Sequence, residues 1–199
     1  MGNIFKYSNV GGFKTTTHYP DMLAGNTVWN PYSPTGAYDA LATVTVPSGG
    51  ASSITFSGIP STYTHLQLRS SVLSGAVDNL DMNFNGDSTG ANYVRHWLWG
   101  DGSSAQATGN TNMGTAQFGF GGGSSTTPTA VITDILDYAS SNKNKVLRSI
   151  GGYDFNGSGR IQFQSAGWFS TSPITSFVIK NDGGGNFSAG TSFALYGVK

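Results

Sequence analysis

The 199-residue chain lacks cysteine altogether, and charged side chains make up only 10% of it. Without cysteine there is no disulfide, no thiolate nucleophile and no Cys-ligated zinc, so stability must come from packing or from association with other chains. Lysine plus arginine number 10, as do aspartate plus glutamate, so no basic field is present to neutralise a phosphate backbone. Nucleic acid is therefore not an expected partner.

Long hydrophobic runs are also missing. No 18 apolar residues run together, and the N-terminal sequence MGNIFKYSNVGGFK has no apolar core after a basic start. Neither a membrane span nor a signal peptide is therefore expected. The chain begins Met-Gly, but Lys6 stands where the myristoylation pattern requires Ser or Thr. We expect a soluble protein made in a cytoplasm, with no membrane partner.

Glycine and aromatic residues are plentiful, with 29 glycines and 13% aromatics. With so little charge, this composition is typical of a turn-rich β-sandwich. From residue 42 onward apolar residues recur at every second position, as at Ile54 and Phe56, and about ten short strands are predicted between turns. No crossover helix separates them. The fold class predicted is all-β, an antiparallel β-sandwich of jelly-roll type.

The segment around residues 80 to 87 gives the clearest strand. Leu80, Met82 and Phe84 are expected on one face and Asp81 on the other. The Asn-Gly-Asp sequence at 85–87 then supplies the left-handed backbone positions of a tight turn. A half-buried strand that ends in a turn is predicted here.

Residues 1 to 40 follow a different pattern, with three prolines, scattered aromatics and no sustained period of 2 or 3.6. We predict an extended N-terminal arm over residues 1–40 and a jelly-roll-like β-sandwich over residues 41–199. The aromatics of the arm have too much apolar area to be left in water at low cost. Either the β domain or a neighbouring subunit is expected to cover them.

Candidate catalytic and metal-binding residues do not form recognised patterns. His18, His65 and His96 are far apart in sequence, without the spacing of a metal site. Asp134 and Asp137 are three residues apart, which in a strand places them on opposite faces. The NGDSTGAN and NDGGGN loops offer oxygens for calcium but do not follow the EF-hand order, and they are interpreted as turns. We expect no catalytic residue, no metal and no cofactor.

Tryptophans supply the remaining candidate site. Tyr93, Trp97 and Trp99 alternate on one face of a predicted strand and could form a platform on which sugar rings stack. The same residues could instead fill the core or a trimer seam, which the size of the sandwich favours. Trp97, Trp99 and Trp168 are the residues through which a host surface glycan could bind.

Four segments together carry a family resemblance: SSITFSGIPSTYTHLQLRSS, MNFNGDSTGANYVRHWLWGDGSS, VITDILDYASSNKNKVLRSIGG and SPITSFVIKNDGGGNFSAGTSFALYGVK. They resemble small β-rich structural proteins of tailed bacteriophages, in which an FNGD hairpin and a terminal LYG.K strand recur. The resemblance covers residues 52–199. It implies a virion protein of jelly-roll type, assembled in the host cytoplasm, without catalytic residues.

Within that group the expected function is a capsid decoration (cement) protein that binds the head lattice and stabilises it. The alternative is a tail, baseplate or fibre component that binds host surface glycan. Expected partners are the major capsid protein or other virion proteins, and the chain itself in a homo-oligomer, for which a trimer is the first expectation. The residues expected to contact capsid or neighbouring subunits are Phe5, Lys6, Tyr7, Phe13, Lys14, Tyr19 and Trp29.

Overall fold

A computed structural model describes residues 37–199. The chain divides into two units, Met1–Asp39 and Ala40–Lys199, and the second unit is described below. Among the described residues every regular element is a β-strand except one 3-10 turn at Gly90–Asn92. The strands are β1 (Tyr38–Thr45), β2 (Ser53–Ser57), β3 (His65–Val72), β4 (Val77–Phe84), β5 (Tyr93–Gly100), β6 (Ala105–Thr111), β7 (Ala116–Gly122), β8 (Thr129–Leu136), β9 (Lys145–Asp154), β10 (Gly159–Trp168), β11 (Ser176–Asn181) and β12 (Ser192–Val198).

These strands form two sheets. The large sheet has eight strands in the order β1-β12-β3-β8-β9-β10-β5-β6, and the small sheet has four in the order β2-β11-β4-β7. The pairings among β2 to β12 are antiparallel. The prediction of an all-β protein with two antiparallel sheets is therefore confirmed. No helix among the described residues is long and apolar enough to cross a membrane.

The core lies between the two sheets. Phe84 and Phe177 of the small sheet meet Tyr93 and Trp168 of the large sheet, and the ring centroids of Phe84 and Trp168 are 5.5 Å apart. All four side chains are buried. Burial of side chains this large supplies much of the hydrophobic stabilisation of a small sandwich.

The tight turn after β4 is confirmed. Asn85 and Gly86 have φ of 52° and 74°, and the Asp87 N–H donates a hydrogen bond to the Phe84 carbonyl oxygen at 2.9 Å. These left-handed positions suit Asn-Gly because Asn tolerates them and Gly has no Cβ. The hairpin implied by the family resemblance is wrong, however, because β4 pairs with β11 and β7 and the chain then crosses to β5 in the other sheet.

Two features depart from the simple alternation. Asp81 was expected to face outward, yet it is buried together with its neighbours Leu80 and Met82. The pairing of β4 with β7 shifts register between Leu80 and Asp81, and such an irregularity interrupts the in-out alternation. The second departure is β6, which the sequence did not predict. Its residues are all exposed, and it pairs with β5 at the edge of the large sheet.

Candidate interaction surface

The outward side of the large sheet carries a continuous row of apolar side chains. Ile132 of β8 lies opposite Ile150 of β9, Ile150 opposite Phe163 of β10, and Phe163 opposite Leu98 of β5. Each is between 46% and 53% exposed. Side chains directly opposite on neighbouring strands have Cβ atoms about 5 Å apart, so each member of the row lies close to the next. We call this row the apolar ridge; it is a patch, not a set of scattered residues.

A shallow groove runs beside the apolar ridge. Ile161 of β10, which is 64% exposed, lies opposite Gly152 of β9 on one side and Gly100 of β5 on the other. Because both neighbours lack side chains, the backbone forms part of the floor. The groove has a volume of about 340 Å³. Its lining, which defines what we call the apolar groove, is Leu98, Trp99, Gly100, Ala105, Ile150, Ile161, Gln162 and Phe163.

The first half of strand β10 points its large apolar side chains away from the core, whereas Ala166 and Trp168 in its second half face inward. Ile161 and Phe163 face outward, whereas Gln162 and Gln164 face the inside of the sandwich and are almost fully buried. Within the described chain both polar atoms of the Gln162 side-chain amide, and the amide nitrogen of Gln164, lack a hydrogen-bond partner. In a strand with one buried face the apolar side chains normally face the core. The outer side of β10 therefore has the composition of a second buried face.

A polar row borders the apolar ridge. Asp134 of β8 accepts a hydrogen bond from the Gln67 amide at 2.9 Å and contacts the Arg148 Nε at 3.4 Å. Arg69 donates to the Gln67 Oε1 at 2.8 Å, and its guanidinium group lies 4.6 Å from the centre of the Tyr196 ring. The charged groups of this row are thus engaged with one another.

Trp97 and Trp99 lie on the other side of the large sheet, beyond the fully buried part of the core. Both are half-buried. The Arg95 guanidinium lies 5.3 Å from the Trp97 ring centre, and that of Arg160 lies 4.1 Å from Trp99 and 3.9 Å from Phe120 of β7. Arg160 thereby joins the two sheets through cation–π contacts. Its pKa is lowered by burial.

Trp168, the third tryptophan considered for glycan binding, is in the core. It is 3% exposed, and its indole Nε1–H donates to Oδ2 of Asp87 at 2.7 Å. A buried ring presents no face on which a sugar could stack. Trp168 therefore does not join Trp97 and Trp99 at a common surface.

The polar residues weighed for catalysis lie in separate local pairs. His65 Nδ1 accepts a hydrogen bond from the Asp137 backbone N–H at 2.9 Å. Asp137 lies beyond the end of β8, with φ of 49°, and pairs with Lys143 at 2.8 Å. The Lys143 hydrogen bond lowers the pKa of Asp137. Asp134 pairs elsewhere, so the structure does not bring these two carboxylates together.

His96 lies on the exposed side of β5, its ring against Gly109 of β6. No group of three or more His, Asp or Glu side chains arranged to hold a metal ion occurs within residues 37–199. His18 and the predicted contact residues of the arm, Phe5, Lys6, Tyr7, Phe13, Lys14, Tyr19 and Trp29, lie outside the described residues.

Sequence reasoning missed the apolar ridge. The available signal was that apolar residues occupy both parities of β9, where Leu147 faces inward and Val146 and Ile150 face outward. A strand that is apolar on both sides is typical of a sheet covered on both faces. No protein-family model, curated protein or solved structure matches the chain.

Proposed function

We propose that the chain is a non-enzymatic structural protein of a bacteriophage virion that acts by binding other proteins. The observation that carries this proposal is the apolar ridge with its adjoining groove, because large exposed apolar patches mark interaction sites. The virion context comes from the resemblance of residues 52–199 to small structural proteins of tailed bacteriophages. The jelly-roll type of sandwich and the extended N-terminal arm belong to the same proposal.

Within the virion, we place the protein on the head as a capsid decoration, or cement, protein. A cement protein needs a rigid body and contacts that hold it to subunits of the lattice. The two-sheet sandwich would serve as the body, and the aromatic and lysine residues of the segment before residue 40 would contact the major capsid protein. Binding to the assembled lattice, and not to its unfolded subunits, would stabilise the head by mass action.

The copy number of the protein in purified virions tests this placement. For a cement protein we expect a number on the order of that of the major capsid protein, because each lattice position offers an equivalent site. Quantitative mass spectrometry of purified particles, with the major capsid protein as internal reference, measures the ratio. Absence from the particles would reject the virion proposal, and a ratio far below that of the capsid would reject the head placement.

A second candidate is a tail-associated protein that binds host surface glycan. It is favoured by one observation: half-buried Trp97 and Trp99 lie directly opposite Thr108 and Gln106 of β6, which offer a hydroxyl and an amide beside the rings. Sugar sites commonly combine an aromatic surface with such polar groups. Trp168 has no part in this candidate because it is buried.

Under this second candidate, Trp97→Ala should abolish binding to host envelope glycans on an array. Loss of the ring also removes buried area, so thermal unfolding of the variant must be measured in parallel. Thr108→Val offers a milder test, because it removes a hydroxyl from an exposed strand without removing a ring. An unmodified protein that gives no glycan signal would eliminate this candidate.

A further inference from the structure

We infer that the outer side of the large sheet is covered by the same surface of a second copy of this chain, in a two-fold symmetric dimer. This inference rests on the proposed function, because it names the partner of the surface on which that function depends. The alternative occupants are capsid subunits and no partner at all, and the experiment below separates them.

The sequences of β9 and β10 suit strands that are buried on both faces. Leu147 of β9 faces the core while Val146 and Ile150 of the same strand face outward. On β10, Ile161 and Phe163 face outward while glutamines face inward. The small sheet covers one side only. A second layer over the other side would make these strands buried on both faces, which is what their composition predicts.

The area available matches what a stable dimer needs. Strands β8, β9, β10, β5 and β6 are adjacent in the large sheet. At a spacing of about 4.8 Å and about 3.3 Å per residue, five strands of roughly eight residues cover about 630 Å². Two such faces give about 1,250 Å² before side-chain relief is counted, within the range of specific interfaces. Two sheets that pack face to face lie about 10 Å apart.

The surface has a raised part and a recessed part next to each other, and the two share Leu98, Ile150 and Phe163. The apolar ridge projects large side chains, including Phe163, and the apolar groove beside it has glycine at positions 100 and 152 on either side of Ile161. A two-fold axis through this region would place the ridge of one copy over the groove of the other. Such self-complementarity is the requirement for an isologous contact.

Charge does not oppose the contact. Outward positions of β9, β10, β5 and β6 include two formally charged side chains, Arg148 and Asp154. Arg148 lies in the polar row beside Asp134, and Asp154 is the last residue of β9. A two-fold axis brings identical groups close together, so a charged centre would repel its own copy. The ridge and groove are apolar, and the charged residues lie at their border, which is the usual anatomy of an interface with an apolar core and a polar rim.

The test is the oligomeric state of the full chain in solution. We expect sedimentation equilibrium to show a dimer. In the double variant Leu98→Lys/Ile161→Lys we expect the dissociation constant to rise by about 100-fold or more, because central apolar contacts dominate binding. Val77→Lys is the matched control, since Val77 is 60% exposed but lies in the small sheet. Its dissociation constant should change by less than about threefold, as expected away from a hot spot.

A second measurement keeps the inference testable if the double variant folds poorly. The chain lacks cysteine, so a single introduced cysteine accepts one fluorescent label. A label at Ile161→Cys should become shielded from a soluble quencher as protein concentration rises, whereas a label at Val77→Cys should not.

Three outcomes would overturn the inference: a monomer at all concentrations, a trimer, or a dimer in which Leu98→Lys/Ile161→Lys has no more effect than Val77→Lys. A monomer that is nevertheless abundant in virions would leave the proposed function standing and assign the apolar ridge to a capsid contact. Absence from virions together with a dimer sensitive to these substitutions would reject the proposed function and retain the dimer.

Discussion

Replacing Arg95 with methionine is expected to lower the free energy of unfolding by about 3–5 kcal/mol at neutral pH, the range for breaking a buried ion pair. Arg95 on β5 and Asp81 on β4 belong to different sheets, and Arg95 Nη1 lies 3.6 Å from Asp81 Oδ1. Both side chains are almost fully buried. Without the guanidinium group, the carboxylate would remain in the core with only the Thr115 hydroxyl as a hydrogen-bond donor, at 2.6 Å.

The stability lost in Arg95→Met should depend on pH. Burial, opposed by the hydrogen bond from Thr115 and by the charge of Arg95, raises the pKa of Asp81 from 3.8 to about 6. The folded state therefore holds this proton more tightly than the unfolded state does. The contribution of Asp81 to stability is greatest below about pH 4, falls as pH rises towards 6, and is constant above that value.

Because methionine cannot balance the charge, the pKa of Asp81 should rise further in Arg95→Met. The variant should then lose much less stability at about pH 5, where the buried carboxyl can be neutral, than at about pH 7.5. Urea unfolding at the two pH values measures the difference.

Arg148→Met is the matched control. Arg148 also faces an aspartate at 3.4 Å, but its side chain is 60% exposed, so its removal should cost less than about 1 kcal/mol. Asp81→Asn, which removes the charge of the other partner, and the double variant Arg95→Met/Asp81→Asn complete a double-mutant cycle. A loss for Arg95→Met as small as that for Arg148→Met at both pH values would contradict the role assigned to this pair.

The parts of the fold that could be predicted are those whose residues have a clear period. The alternation at Ile54 and Phe56 predicted β2, and the Asn-Gly sequence at positions 85 and 86 predicted the turn after β4. In both cases a local pattern determines the outcome, because side chains alternate in a strand and Gly tolerates a positive φ.

Other parts could not be predicted because they depend on long-range pairing. Strand β6 has no apolar alternation, and its pairing with β5 accounts for its extended form. For β10, the sequence predicted a strand but could not say which parity faces the core, because period two is the same from both sides. The burial of Asp81 likewise follows from a register shift with β7 and from Arg95 on a third strand, features that no local pattern contains.

The candidate site could be predicted only in part from the sequence. Tyr93, Trp97 and Trp99 do share one side of β5, as their spacing predicts, but Tyr93 is buried and the tryptophans are half-buried. The difference arises because the small sheet covers only part of the large one. The apolar ridge, in turn, exists because residues from four strands lie in one row. The sequence shows that β9 is apolar on both sides, but it does not show which strands lie beside β9.

The second large effect is expected for Asp87→Ala, which should lower the free energy of unfolding by about 2–4 kcal/mol, since it removes several charge-assisted hydrogen bonds. Oδ2 of Asp87 accepts hydrogen bonds from Trp168 Nε1 at 2.7 Å and from Asn92 Nδ2 at 2.8 Å. Oδ1 accepts one from the Thr89 N–H at 2.9 Å. Asp87 thus connects the turn after β4, the 3-10 turn and the end of β10.

The contribution of Asp87 to stability should also be lost at low pH. Burial favours the neutral carboxyl, but the hydrogen bonds from Trp168, Thr89 and Asn92 outweigh it and lower the pKa of Asp87 from 3.8 to about 2. A depressed pKa means that the contribution is fully present above about pH 4 and is lost as pH falls towards 2. Asp87→Ala should therefore show a weaker dependence of stability on pH in that window than the unmodified protein does.

One further variant separates the charge from the hydrogen bonds, and a second variant serves as a control. Asp87→Asn keeps an acceptor oxygen for the Trp168 N–H but loses the charge, so its loss of stability should be roughly half that of Asp87→Ala. Asp101→Ala is the matched control, because Asp101 also caps a turn, through Ser103 and Ser104, but connects no distant strands. Its cost should be much smaller than that of Asp87→Ala, as for other exposed caps. Equal losses for Asp87→Ala and Asp101→Ala would mean that the buried Trp168 N–H finds another acceptor, and that Asp87 serves only its own turn.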